Sequence, residues 1–260
     1  MRELVFSGHN DVHPLLVTDE NGLRSLRFGT EERQSCLNLE RPWELQLDYT
    51  RWMMTALLLH PAPRRLLLFG LGGGAMAHFL LHHHPEAWLE VVELDPHIIR
   101  LARAWFALPD TDNLHLVNQE AAAFLAEAGE SSWDIAFLDI FGPGSMAAPL
   151  FDRSFHRAIL DRLGPDGLLA VNLWSGDREL FDRAREAVRL ACGDQLLEMQ
   201  VKRRSNAILL AFPGPIPRAT VKQAHKQAAA HQRRYGLDFP HYLKRLRRTN
   251  RLSLLLRLFQ

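Results

Sequence analysis

Between Leu66 and Trp174 short apolar runs alternate with segments of helical periodicity, and no other feature constrains the fold as strongly. LLLFG (66–70), LEVVEL (89–94), LHLVN (114–118), WDIAFLD (133–139) and GLLAVNLW (167–174) read as strands. Helices are predicted near 73–84, 96–106, 119–128, 151–162 and 177–190. Strands that are apolar on both faces, each followed by a helix, require a parallel sheet covered on both sides. LLEMQVKRRSNAILLAF then reads as two strands around a basic turn, closing the sheet with an antiparallel hairpin. The expected fold class is α/β: a Rossmann-like, methyltransferase-type, mostly parallel sheet.

The first strand runs straight into Gly70, Gly72, Gly73 and Gly74, and a helix follows. Glycines let a backbone turn tightly and let a ligand approach it closely. The next helix offers free N–H groups and a positive dipole end. Glu93 stands at the end of the second strand, where a carboxylate can take both ribose hydroxyls. The third strand ends in Asn118-Gln119-Glu120, where an adenine edge can be read, and the fourth in Asp139. All of these lie at the carboxyl edge, where an open α/β sheet binds its ligand. Gly70, Gly72 and Gly74 run G-x-G-x-G rather than the dinucleotide pattern G-x-G-x-x-G, which favours an S-adenosyl nucleotide over NAD.

Ahead of this unit, VHPLLVTD, ENG and LRSLRFG read as strand, turn, strand, and QSCLNL as a third strand. DYTRWMMTALLLH (48–60) reads as one helix with Asp48 as its N-cap, stopped by HPAP. PGPIP (213–217) marks a boundary, and two helices rich in Lys and Arg are predicted beyond it. The expected organisation is a small β segment (1–47), a Rossmann-like catalytic domain (48–212) and a basic helical extension (213–260).

Residues 213–260 hold eleven Lys or Arg against one acid, Asp238, so an acidic body of net −9 carries a tail of net +10. Three roles fit such a tail: docking on the body, pairing with a second subunit in a homodimer, or contact with nucleic acid or an anionic surface. The N-terminus lacks the apolar core of a secretory signal, and no apolar run has the length of a transmembrane segment. Cys36 and Cys192 have no metal or redox spacing, which favours a reducing compartment; a cytoplasmic protein is expected. His82, His83 and His84 are consecutive, and helical neighbours point about 100° apart, so a shared metal is not expected. At a helix C-terminus, protonated histidines suit the dipole. Asp95-Pro96 reads as an N-cap with proline at the first helical position, and Trp52-Met53-Met54 as core.

The segments YTRWMMTALLLHPAPRRLLLFGLGGG, VVELDPHIIRLAR, LVNQEAAAFL, WDIAFLDIFGPG, LFDRSF and LGPDGLLAVNLW resemble the spermidine synthase-like family of polyamine aminopropyltransferases, over roughly residues 12–212. The resemblance implies aminopropyl transfer from decarboxylated S-adenosylmethionine to an amine acceptor, without a metal. By that resemblance Glu93 binds the ribose, and Glu120, beside Gln119, stands where the family reads adenine with an aspartate. Gly70, Gly72 and Gly74 line the thioether end. Gln34 matches a glutamine at the domain junction, Tyr49 helps hold the amine, and Asp139 is the base. Two family aspartates are replaced here, by Gly73 in the loop and by Gly142 after Asp139. Intact S-adenosylmethionine keeps a carboxylate that an acid at position 73 repels and a glycine does not. A methyltransferase using S-adenosylmethionine is therefore the alternative, and a non-catalytic relative acting through its basic tail the third.

The chemistry needs a base. A free amine has a pKa near ~10, so at pH 7 it is protonated, and deprotonation costs roughly 4 kcal/mol. A carboxylate at the reacting carbon both accepts the proton and orients the nitrogen.

Overall fold

The computed structural model describes residues 2–129, 132–142, 145–201 and 205–250. An antiparallel sheet comes first: β1 (Glu3–His9), β2 (Pro14–Glu20), β3 (Leu23–Arg27) and β4 (Ser35–Asn38), in that spatial order. Strand β1 was not expected. All of its side chains are half-buried or exposed at the sheet edge, so its sequence lacks a clean apolar alternation.

Two short helices follow, α1 (Asp48–Met53) and α2 (Ala56–Leu59), where one helix was expected. At Met54 and Thr55 the ladder tightens: the N–H groups of Leu57 and Leu58 reach the carbonyls of Met54 and Thr55, three residues back. Asp48 does not cap α1. Leu47 holds the cap position, with no side-chain bond, and Asp48 is the first helical residue.

The alternating region contains β5 (Arg65–Phe69), α3 (Ala75–His83), β6 (Trp88–Glu93), α4 (Pro96–Trp105), β7 (Leu114–Asn118), α5 (Ala121–Glu127) and β8 (Trp133–Leu138). Next come the two-residue strands β9 (Phe141–Gly142) and β10 (Ser145–Met146), a 3-10 turn at Ala148–Phe151, and α6 (Arg153–Leu160). Asp152 divides the segment expected as one helix, because its side chain accepts from Ser154 N–H and starts α6. Strand β11 (Leu163–Trp174), α7 (Arg178–Ala191), β12 (Leu196–Gln200) and β13 (Asn206–Ala211) complete the sheet. The basic residues Lys202, Arg203 and Arg204 of the expected turn lie outside the described residues.

The seven strands are ordered β12-β13-β11-β8-β5-β6-β7. Strands β11, β8, β5, β6 and β7 are parallel, while β13 runs antiparallel to both neighbours. Alternation within each strand divides the core. Leu66 and Leu68 point into one apolar layer with Val91, Phe137 and Ile208, and Leu67 and Phe69 into the other with Leu138, Val171 and Leu209. Chain order reverses between β5 and β8, so a crevice opens beyond their carboxyl ends.

The basic tail forms α8 (Arg218–Tyr235) and α9 (Phe239–Thr249), and it is docked. Val221, Ala224, Tyr235, Phe239, Leu243 and Leu246 belong to the same buried cluster as Leu66 and Leu68. Asn250 closes the sheet edge: its Oδ1 accepts from Glu198 N–H at 3.0 Å and its Nδ2 donates to Glu198 C=O at 2.8 Å. The stretch expected to continue α9 through residues 251–260 lies outside the described residues. Tyr235 OH lies 3.0 Å from His84 Nε2, and burial lowers the pKa of both His83 and His84 to about 4. These histidines are therefore neutral at pH 7 and do not serve the helix dipole as cations. Among the described residues no helix is long and apolar enough to cross a membrane.

Candidate active site

The glycine loop follows β5 at the crevice. Gly70, Gly72 and Gly74 have φ of 90°, 54° and 77°, a region that disfavours any side chain. Gly70 is constrained twice, because a Cβ there would sit 2.2 Å from the carbonyl oxygen of Asp139. The loop and the end of β8 are thus in direct contact. At Gly73 the space is already filled: a Cβ would lie 2.8 Å from the Phe106 ring and 2.9 Å from Ser35 Oγ. Gln34 immediately precedes Ser35, so it stands where the N-terminal sheet meets the loop, and its own N–H bonds Leu26 C=O at 2.9 Å.

Glu93 holds the loop in shape. Its Oε2 accepts from Leu71 N–H at 2.8 Å and its Oε1 from Asp95 N–H at 2.9 Å. Burial raises its pKa, against the opposing pull of the Asp95, Leu71 and Gly72 amides. Asp95 caps α4 as expected, accepting from His97 N–H at 2.7 Å. Its other oxygen accepts from Asn10 Nδ2 at 2.5 Å, which ties the β1–β2 hairpin to the crevice.

Glu120 turns its Oε2 onto Ala123 N–H at 2.9 Å and caps α5, so that oxygen serves the helix rather than standing ready for a base edge. Gln119 donates its backbone N–H to Glu93 C=O at 3.2 Å.

Around Asp139 the structure assembles a polar network inside apolar walls. Tyr49, from α1, donates its hydroxyl to the Asp139 carboxylate. Asn172 Nδ2 donates to Asp139 Oδ1 at 2.9 Å, and Asn206 Nδ2 to Asn172 Oδ1 at 3.0 Å. Burial pushes the Asp139 carboxyl up to about 6, the bonds from Asn172 and Tyr49 opposing it. Burial first, then the Asp139 charge and their shared bond, hold the Tyr49 phenol well above its usual 10. At neutral pH Asp139 is ionised, yet about two units more basic than an ordinary aspartate. That shift shortens the uphill proton transfer from an ammonium by about 3 kcal/mol.

The structure therefore joins Gly70, Asp139 and Tyr49, with Glu93 on the other side of the loop. Sequence reasoning missed Asn10, Phe106, Asn172 and Asn206. Only Asn172 carried a signal, as the one polar side chain in the interior of GLLAVNLW.

A seven-stranded sheet of this order, with a glycine loop and an acid flanking its switch point, defines the class: a Rossmann-like protein of methyltransferase type. Residues 48–175 match the spermine/spermidine synthase domain. The chain is 29% identical over 234 residues to the polyamine aminopropyltransferase of Chromobacterium violaceum, covering 90% of this chain and 89% of that one. A probable spermidine synthase from Corynebacterium glutamicum shares the fold at a TM-score of 0.72 and 17% identity, over 86% of each chain. Human methyltransferase-like protein 13 in complex with SAH shares it at 0.62 and 22% identity, over 78% of this chain and 93% of that one. The chain thus carries a spermine/spermidine synthase domain over residues 48–175.

Proposed function

We propose that this protein transfers an aminopropyl group from decarboxylated S-adenosylmethionine to an amine acceptor, as a polyamine aminopropyltransferase. The observation that carries the reading is the contact between loop and base. Asp139, a half-buried carboxylate ionised at neutral pH, abuts Gly70 of the nucleotide loop and takes a hydrogen bond from Tyr49. A sulfonium held along that loop brings its reacting carbon to the carboxylate, and an amine nitrogen bonded to Asp139 attacks it in line. The nitrogen–carbon bond forms, the carbon–sulfur bond breaks, methylthioadenosine leaves, and the amine proton passes to Asp139.

In this reading Glu93 takes the ribose hydroxyls through its remaining lone pairs. Gly70, Gly72 and Gly74 admit the thioether. Gln119 and Glu120 border the adenine, and Gln34 closes the donor side from the N-terminal sheet. Tyr49 orients the amine, and no metal takes part. Residues 1–47 cover the donor, 48–212 carry the chemistry, and in the 213–260 extension the described residues to Asn250 brace the sheet. Such a protein works in the cytoplasm.

One observation favours a second reading, methyl transfer from intact S-adenosylmethionine: position 73 offers no carboxylate to a cationic tail, and Phe106 and Ser35 fill its space. Incubation with each donor and an amine, followed by mass spectrometry, tests both. A gain of one aminopropyl unit with release of methylthioadenosine is expected, and a gain of one methyl group establishes the alternative.

A further inference from the structure

We propose that Asn172 and Asn206 are positioning residues, a two-amide relay that fixes the Asp139 carboxylate as a hydrogen-bond acceptor facing the substrate amine. The proposal rests on the assignment of Asp139 as the proton acceptor. Strand register builds the relay. Val171 pairs with Leu138 across β11 and β8, so the next residues, Asn172 and Asp139, lie side by side. Asn172 pairs with Ile208 across β11 and β13, and Asn206, two residues earlier, is its diagonal neighbour on the same face. Three strands thus deliver three polar side chains to one point at the carboxyl edge.

Asn172 is fully buried, and an unpaired amide there would be strongly unfavourable. Both ends of its side chain are in use. The direction is set by chemistry. An ionised carboxylate only accepts, so Asn172 must present its NH2 group to Asp139. Its oxygen then faces away and requires a donor, which Asn206 supplies. Tyr49 donates to the same carboxyl group, so Asp139 is held by two donors and its remaining lone pairs are left for the amine. Asn206 touches neither Asp139 nor the glycine loop among these bonds, so it acts through Asn172.

An isosteric change at the far end tests the direction. Asn206→Asp puts an acceptor where a donor is needed. Asn172 then turns its NH2 outward and its carbonyl toward Asp139, which disfavours the ionised carboxylate. The Asp139 titration, followed by NMR of enzyme labelled with carboxyl-13C aspartate, moves up by about one pH unit. The acid limb of the pH–kcat profile moves with it, kcat at pH 7 falls about tenfold or more, and methylthioadenosine affinity stays within about twofold. Asn206→Leu, which adds no charge, moves the titration in the same direction by less. In the Asn172→Leu background the Asn206→Asp shift disappears. The relay is overturned if that shift survives in the Asn172→Leu background, since a through-space charge then explains it. It is equally overturned if Asn206→Leu leaves the titration unmoved, a test that stands even where Asn172→Leu does not fold. A wild-type enzyme that consumes no amine would sink the functional reading, while the carboxylate titration still decides the relay.

Discussion

Replacing Asp139 with Asn should make the protein more stable while abolishing its activity. The folded-state pKa of Asp139 is about 6, against 3.8 for an ordinary aspartate. The folded state therefore binds more protons than the unfolded chain between these values, and stability falls as pH rises through the window. Above pH 6 the loss is complete. About two units at ~1.36 kcal/mol each set an upper bound of about 3 kcal/mol. Asparagine removes the charge and keeps the shape. Its oxygen can still accept from Asn172, and its NH2 can donate to the Tyr49 oxygen. For a chain of this size about 1 kcal/mol moves Tm by roughly 2–4 °C, so Asp139→Asn should raise Tm at pH 8 by up to roughly 6–12 °C. The gain should shrink toward zero at pH 4, where the native carboxyl is protonated. Thermal unfolding by circular dichroism at both pH values reads the effect, and turnover measured in parallel should fall by a factor on the order of 10² or more. A variant less stable than wild type at pH 8, or a gain equal at both pH values, refutes the account of Asp139 as a charge held in an unfavourable site.

Glu93→Ala should weaken methylthioadenosine binding at least about tenfold by calorimetry, because charge-assisted bonds to ribose hydroxyls are worth about 1.5–3 kcal/mol; unchanged affinity removes Glu93 from the pocket. The histidines under the tail give an opposite pH signature. His84 titrates at about 4 in the folded protein against 6.5 normally, so the unfolded chain binds the extra proton, and stability is lost as pH falls from 6.5 toward 4. His84→Gln, which keeps a partner for the Tyr235 hydroxyl, should flatten that acid limb in denaturant titrations. An unchanged slope places the acid sensitivity elsewhere.

Much of this architecture is legible without coordinates, because the signals are local. Each expected strand of the alternating region exists, with five of the ten ends displaced by one residue, four unmoved and the start of β11 displaced by four. Continuous apolar runs can only be buried on both faces, and the split of Leu66 and Leu68 from Leu67 and Phe69 between two layers realises that requirement. Glycines at positions 70, 72 and 74 announced a tight turn, and all three make it with left-handed backbone. Elements with weaker local signals fared worse. The helix expected over 48–60 breaks at Met54 and Thr55, and β1 went unseen because an edge strand alternates poorly.

By itself, then, the sequence determined the sheet, the glycine loop and the acids that end its strands, since each is written in a stretch of a few neighbouring residues. Tertiary structure alone decided which of those acids stand ready. It pressed Phe106 against Gly73 and buried the basic tail's apolar stripe in the core. It also joined Tyr49, Asp139, Asn172 and Asn206, which come from four separate elements or their ends. The reason is physical. Strand register and helix docking bring together residues more than a hundred positions apart, and the burial that follows sets the pKa of Asp139. No window of sequence contains that environment.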